Sequence, residues 1–247
     1  MPPAVEAENL VKNFESARVI HDLSFEVQEG EVFGIVGPDG AGKTSLVRML
    51  AGVTDPTSGS IRISGIDLSQ NPESARNLIG YMPQRFSLYE DLSVRENLDF
   101  FTDMYGVPEG ERKKRLDNLY RFSRLEEFQD RFAGKLSGGM QKKLALSCAL
   151  INFPRILILD EPTIGVDPLS RQELWEMLFE LNKQEKTTIV VTTSYMDEVK
   201  KFGRVGILHH GRFLVCDRTQ KIMSGAGSFE EVFVKLIEKA HADNVFG

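Results

Sequence analysis

Val32-Phe33-Gly34-Ile35-Val36 runs into Gly37-Pro38-Asp39-Gly40-Ala41-Gly42-Lys43-Thr44, and Ser45 follows at the head of a stretch with helical character. Residues 37–44 fit the pattern GxxxxGK[ST], set between an apolar strand and a helix expected over Gly42 to Ala51. In that frame the glycines let the backbone turn so that successive N–H groups point inward at phosphate oxygens. The helix start adds its positive dipole end. Lys43 supplies a mobile ammonium for terminal phosphates, and the Thr44 hydroxyl is placed to ligate Mg²⁺. The expected phosphate-binding set is therefore Gly37, Pro38, Asp39, Gly40, Ala41, Gly42, Lys43, Thr44 and Ser45. A glycine-rich turn with an incidental lysine is the plainer alternative, and the intact strand–loop–helix frame speaks against it.

A nucleotide site needs a second half, an acidic residue ending a buried strand. Ile156-Leu157-Ile158-Leu159 runs into Asp160-Glu161-Pro162. Asp160 can hold magnesium through water, and Glu161 can polarise an attacking water as general base. Alone, this segment reads equally well as a turn with solvated carboxylates; beside the phosphate loop it reads as a nucleotide site.

The remaining chain supports one α/β unit. Its 247 residues, 41% hydrophobic, provide ample core. The net charge of −6 excludes a chain that wraps nucleic acid through a cationic face. Cys148 and Cys216 lie far apart without a metal-ligand pattern and read as buried thiols of a reducing compartment. No apolar run reaches the roughly 18–20 residues of a membrane span, and the start MPPAVEAENL lacks a hydrophobic leader, so a soluble cytosolic chain is expected.

Short β-type runs occupy Val5 to Gly80, and helical periodicity takes over from about Leu92 to Ala133. Ser93-Val94-Arg95-Glu96 has the form of a capping box, opening a helix through Tyr105. A charged helix follows, and its run Glu111 to Arg115 reads as a solvated face. After Gly138 the α/β alternation resumes: a helix over Gly139–Ile151, a helix from the Asp167-Pro168 cap through Leu181, and a doubly buried strand Thr187–Thr193. A hairpin turning at His210-Gly211 and a helix over Phe229–Ala240 complete the reading. The fold class is α/β of the P-loop NTPase type. It comprises a mostly parallel sheet with an antiparallel β portion (residues 1–91 and 136–247) and a helical insertion at 92–135.

Leu136-Ser137-Gly138-Gly139-Met140-Gln141 stands 24 positions before Asp160, and at this point the chain resembles the ATP-binding subunits of ABC transporters over essentially its whole length. Physically, Ser137 and the N–H groups of Gly138 and Gly139 form a second anion site at a helix start. The plain helix N-cap describes the same residues without excluding that role. The resemblance implies that this signature serves an opposing subunit, with two ATPs sandwiched in a head-to-tail dimer. It implies further that Gln84, in Tyr81-Met82-Pro83-Gln84, reaches magnesium, that Asp167 contacts the opposite subunit, and that Phe14 stacks on adenine. A core phenylalanine is the competing reading of Phe14.

One departure stands out. Where the family commonly has a histidine, the segment Thr192-Thr193-Ser194-Tyr195-Met196-Asp197-Glu198 has Ser194. A serine can give a γ-phosphate one hydrogen bond but is shorter than imidazole and carries no positive charge. Loss of one such contact costs about 10²–10³ in rate. The expected catalytic set is Glu161, Lys43 and Ser194, with Thr44, Gln84 and Asp160 as metal ligands. Resemblance to the N-terminal cassette of tandem-domain bacterial ABC-2 exporters, through VGPDGAGKT, GYMPQ, LYEDLSVREN, TTSYMDEV and the ending Ser228–Val234, implies a heterodimer with a histidine-bearing second ATP-binding subunit. A homodimer in which Ser194 suffices is the alternative. It also implies integral membrane permease subunits docking near Arg85–Asp91, at Phe86, Leu88 and Tyr89, and a peripheral place on the cytoplasmic face of the bacterial inner membrane. The alternatives are a non-transport ABC ATPase, or a regulatory module that binds ATP without turning it over.

Overall fold

The computed structural model describes residues 2–15, 17–85 and 88–242. Antiparallel strands β1 (Val5–Phe14) and β2 (Ala17–Val27) lead to β3 (Val32–Val36), the phosphate-type loop and helix α1 (Lys43–Leu50). Next come β4 (Ser58–Ile63), the two-residue β5 (Ile66–Asp67), a one-turn α2 (Pro72–Arg76) and β6 (Ile79–Met82). Helices α3 (Val94–Met104), α4 (Glu109–Ser123) and α5 (Gly138–Leu150) precede β7 (Ile156–Asp160), α6 (Pro168–Glu185) and β8 (Thr188–Thr193). The chain continues through β9 (Arg204–His209), β10 (Arg212–Arg218), α7 (Thr219–Ile222) and α8 (Phe229–Ala242).

Two sheets result. The smaller is antiparallel, in the order β2-β1-β4-β5. The larger has the order β10-β9-β3-β8-β7-β6, parallel throughout except for the β9–β10 hairpin. Alternation along the parallel strands divides the core. Leu157 and Leu159 of β7 face a core shared with α3, α5 and α6, whereas Ile156 and Ile158 face one shared with α1 and the antiparallel sheet. Helix α1 touches β7 and β8 on one side and β2 on the other, so the helix that follows the phosphate-type loop is clasped between both sheets.

Local chemistry sets the helix starts. Ser93 accepts from the Glu96 N–H (3.2 Å) while Glu96 accepts from the Ser93 N–H (2.7 Å), the reciprocal capping box expected from the sequence. Asp167 caps α6 through the Ser170 N–H at 3.0 Å, and Ser137 caps α5 through the Met140 N–H at 3.3 Å. Helix α6 outruns its expected end at Leu181, because Asn182 to Glu185 contains no breaker and the helix stops only where Lys186 adopts φ 57. Cys148 is buried as expected, but Cys216 is only partly covered, since β10 lies at the edge of its sheet. The run Glu111–Arg115 is less freely solvated than its charge suggests. Arg112 pairs with Asp99 (3.0 Å) and Asp103 (2.5 Å), and Arg115 stacks over Phe153 at 5.0 Å.

The β9–β10 turn bridges the two sheets. His210 and Gly211 both have positive φ (43° and 68°), the backbone of a tight hairpin turn. The Gly211 N–H donates to the Ala41 carbonyl and the Gly211 carbonyl accepts from the His21 N–H, each at 2.9 Å. A Cβ on Gly211 would stand 2.1 Å from the Val19 carbonyl oxygen, so only glycine fits this junction.

Candidate active site

Strands β6, β7, β8 and β3 run parallel, so their carboxyl ends emerge side by side, where α/β sheets place ligands. Register decides which residues meet. Asp160 is opposite Thr192 between β7 and β8, and Val36 is opposite Thr193 between β3 and β8. Gly37, Glu161 and Ser194 each follow directly from one of these strand ends.

Gly42 is the N-cap of α1 at φ 104°, a conformation that glycine adopts without strain, and Lys43 is the first helical residue. The buried Lys43 ammonium donates to the carbonyls of Gly37 (2.7 Å) and Pro38 (3.0 Å) and to Ser194 Oγ (2.9 Å), and pairs with Glu161 Oε1 at 2.9 Å. Glu161 has φ 48°, an uncommon backbone for a residue with a side chain. Its N–H is fixed by the Thr192 carbonyl (3.2 Å) and hydroxyl (2.9 Å). Gln84 Nε2 reaches Glu161 Oε2 at 3.5 Å, the limit of a hydrogen bond. Ser194 Oγ lies 2.8 Å from Glu161 Oε1 and 3.1 Å from Asp39 Oδ1; its single proton serves one of them at a time.

Asp160 is buried behind this group. Its Oδ1 accepts from the hydroxyls of Thr192 (2.7 Å) and Thr44 (3.2 Å), while Oδ2 is buried with no hydrogen-bond partner. Burial pushes the Asp160 carboxyl above its ordinary range, against the lowering effect of those two hydroxyls. A buried carboxylate oxygen without a donor, next to a threonine hydroxyl, is a hard-oxygen set that suits magnesium. Lys142 of α5 donates to the Gln84 carbonyl at 3.2 Å; burial lowers its pKa, partly offset by the charges of Asp160 and Glu161. Lys43, Thr44, Ser45, Asp39, Gly40, Gly42, Gln84 and Glu161 border one cleft of about 340 Å³.

The structure brings Lys43, Thr44, Gln84, Asp160, Glu161 and Ser194 into one cluster with the glycine loop, and leaves Ser137, Gly138, Gly139, Asp167 and Phe14 outside it. Ser137 and Gly138 are exposed at the start of α5. Gly139 is buried against the start of α6, where a Cβ would stand 2.2 Å from Ser170 Oγ. Asp167 is held low by the Ser170 hydrogen bonds of its cap. Phe14 is 46% exposed with the Lys12 ammonium 4.9 Å above its ring, which rules out the core reading. Around the expected docking segment, buried Asn97 pins the Tyr89, Leu92 and Ser93 carbonyls, Leu88 is partly covered, and Tyr89 packs edge-on against exposed Phe100 at 4.6 Å. Phe86 lies outside the described residues.

Sequence reasoning missed Thr192 and Lys142. Thr192 looks like one more β-branched strand residue until the β7–β8 register sets it beside Asp160. Lys142 is recognisable only once α5 is seen to pass under Gln84.

The family model described as ABC transporter matches residues 20–164, more than half of the chain. A relative named "Probable multidrug ABC transporter ATP-binding protein YbhF", from Escherichia coli (strain K12), is 47% identical over 192 residues. The match covers 78% of this chain and 33% of that protein, so the chain spans about a third of the relative's length. The "Nod factor export ATP-binding protein I" of Rhizobium sp. (strain N33) is 41% identical over 212 residues, covering 85% of this chain and 69% of that protein. Among solved structures, an ATP-binding subunit of an ABC transporter superposes with TM-score 0.83 at 31% identity, covering 95% of this chain and 99% of that one. The ATP-binding cassette MJ0796, in a dimeric post-hydrolysis state with ADP and Pi, superposes with TM-score 0.79 at 25% identity, covering 87% and 98%.

Proposed function

Because this chain belongs to the ABC transporter family of ATP-binding proteins, we propose that it is the ATP-hydrolysing motor of a bacterial exporter and drives a separate permease. The observation that carries this reading is the convergence of Lys43, Asp160, Glu161 and Ser194 at adjacent parallel strand ends, directly behind the glycine loop. The relatives named for multidrug and Nod factor export favour export over import.

Each residue has a physical task in this reading. The backbone N–H groups between Gly37 and Ser45, Pro38 having none, cradle the phosphates of ATP, and Lys43 exchanges its loop carbonyls and Glu161 for phosphate oxygens. Glu161, released from Lys43, accepts the proton of the attacking water. Thr44, Gln84 and Asp160 would hold magnesium, which when bound neutralises charge on the β- and γ-phosphates. Phe14, exposed at the end of β1, offers a π face to adenine. Ser137 and Gly138, exposed at the start of α5, serve with the adjoining buried Gly139 the nucleotide of an opposing ATP-binding subunit, and Asp167 lies beside them.

Ser194 supports an asymmetric pair. Its hydroxyl supplies one hydrogen bond where an imidazole would reach further and could carry charge, so this chain's own site turns over slowly. Its signature loop completes a faster site on a different, histidine-bearing subunit. Helices α3 and α4 form the helical insertion at 92–135, which together with the adjoining loop at Leu88–Asp91 meets the permease, with Tyr89 and Phe100 as the exposed apolar contact. The place of the chain is peripheral, on the cytoplasmic face of the inner membrane. Among the described residues no helix is long and apolar enough to cross a membrane.

The test is ATP hydrolysis by the chain alone and with its partner subunit and permease, for wild type and Ser194→His. We expect the histidine to raise turnover at this chain's site by about 10²-fold. Unchanged hydrolysis in the assembled complex would remove the slow-site reading. Failure of the chain to bind ATP with magnesium would remove the motor reading itself.

A further inference from the structure

Behind the Ser194 turn lies a buried carboxylate that the proposed chemistry does not use. Glu198 is 1% exposed, and both of its oxygens are taken by neutral donors. The indole N–H of Trp175 donates to Oε1 at 2.8 Å, and the Thr193 hydroxyl donates to Oε2 at 2.7 Å. Thr193 Oγ1 in turn accepts the Tyr195 N–H at 3.0 Å. Two hydrogen bonds thus lead from Glu198, through the Thr193 hydroxyl, to the Tyr195 N–H, and so join the residues on either side of Ser194, whose hydroxyl touches Lys43 and Glu161.

A carboxylate buried among neutral donors is a costly way to fill space, because it loses water without gaining a cation. An apolar side chain beside the Trp175 ring would cost less. What the carboxylate adds is direction. It fixes the Thr193 hydroxyl as its donor, which leaves the Thr193 lone pairs to receive Tyr195 N–H, and so sets the turn that carries Ser194. Its other oxygen ties that turn to Trp175, on the same helix α6 whose first turn packs on Gly139 through Ser170.

We propose that Glu198 is the positioning residue for Ser194, and that its bond to Trp175 links the Ser194 turn to the helix lying against the signature loop. The inference rests on the proposed function, in which Ser194 donates to the γ-phosphate of ATP. Glu198 acts there through Ser194 and touches no phosphate. Any shift of the α6 start, when the signature loop closes on an opposing nucleotide, reaches Ser194 by this path.

The experiment measures the dissociation constants of ATP and ADP on the full chain, and takes their ratio as the reading of γ-phosphate contact. The variants are Glu198→Ala, Glu198→Gln, Ser194→Ala and the double variant of Glu198→Ala with Ser194→Ala. Trp175 is the only tryptophan in the chain, so its emission reports directly on the residue bonded to Glu198. We expect the preference for ATP over ADP to fall about tenfold in Ser194→Ala and in Glu198→Ala, the size of one hydrogen bond to a charged group. The double variant should be no worse than either single one, and ATP, unlike ADP, should shift the Trp175 emission of wild type. Glu198→Gln keeps the shape of the side chain and should lose about threefold; it decides the matter if the alanine variant does not fold. Losses that multiply in the double variant, or an unchanged ATP preference in a folded Glu198 variant, would overturn the inference alone. A wild-type chain with no preference for ATP over ADP would overturn the proposed function as well.

Discussion

The cluster at the strand ends and the start of α5 are both expected to meet phosphate, yet they are built in opposite ways. Around Lys43 the charge is answered from within the chain: two carbonyls, a hydroxyl and a carboxylate surround one ammonium, supplied from beyond the ends of β3, β8 and β7. Among the described residues nothing comparable converges at Ser137–Gly138. The helix start is exposed, and its serine only caps its own helix. Anion-binding N–H groups left open to solvent are incomplete in this chain, whereas the cluster already holds a negative group, Glu161, against its lysine. The contrast separates a cluster completed within this chain from an exposed helix start that the proposed function assigns to an opposing subunit.

The largest expected effect breaks the completed cluster. Glu161→Gln should lower phosphate release from this chain's own site, read in a complex whose faster partner site is disabled, by about 10²–10³-fold while ATP binding persists, because the proton acceptor is lost and the cradle is kept. Retained turnover would show that another group accepts the proton.

Gly138→Asp attacks the exposed helix start. The nearest atom to a Cβ there is the Gly165 carbonyl oxygen at 3.9 Å, so the fold has room for the side chain. We expect unchanged ATP affinity in the isolated chain, and at least a tenfold loss of ATP-dependent association measured by light scattering, since a carboxylate would face phosphate. Loss of the chain's own ATP binding would erase the distinction between the two regions.

Asp160→Asn sharpens it energetically. Burial raises the Asp160 carboxyl, so the stability tied to its neutral form is full below the ordinary carboxylate range and is lost as pH rises through the raised value. At neutral pH the substitution should stabilise the chain, in the absence of nucleotide and metal, by about 1–2 kcal/mol in thermal melts. It should also flatten the loss of stability across that acidic window, and remove the stabilisation that magnesium and ATP otherwise give. The smallest effect is expected from Ser137→Ala, about 0.5–1 kcal/mol of cap stability in the free chain.

What the sequence made legible was local. The phosphate-type loop, the Ser93–Glu96 box, the Asp167 cap and the His210-Gly211 turn are each decided within a few residues, by backbone geometry and short side-chain reach. Thr192 beside Asp160 depends on strand register, and Glu198 under Trp175 on how α6 lies over β8; neither leaves a trace in residue spacing. The extent of α6 was misread because a helix without a breaker ends where its surroundings end it. Phe14 was ambiguous for a related reason. Its place at the exposed end of β1 is set by the turn into β2, not by its own hydrophobicity.

The Gly211 bridge has a mechanical consequence. With one hydrogen bond to Ala41 and another to His21, and no room for a methyl group against Val19, the tip of the β9–β10 hairpin rivets the antiparallel sheet to the glycine loop. A base resting on Phe14 and the phosphates near Lys43 would then ride on a single stiff chassis. In the proposed motor, pivots that turn hydrolysis into movement would then lie elsewhere, where the chassis meets α3 and α4 or another subunit.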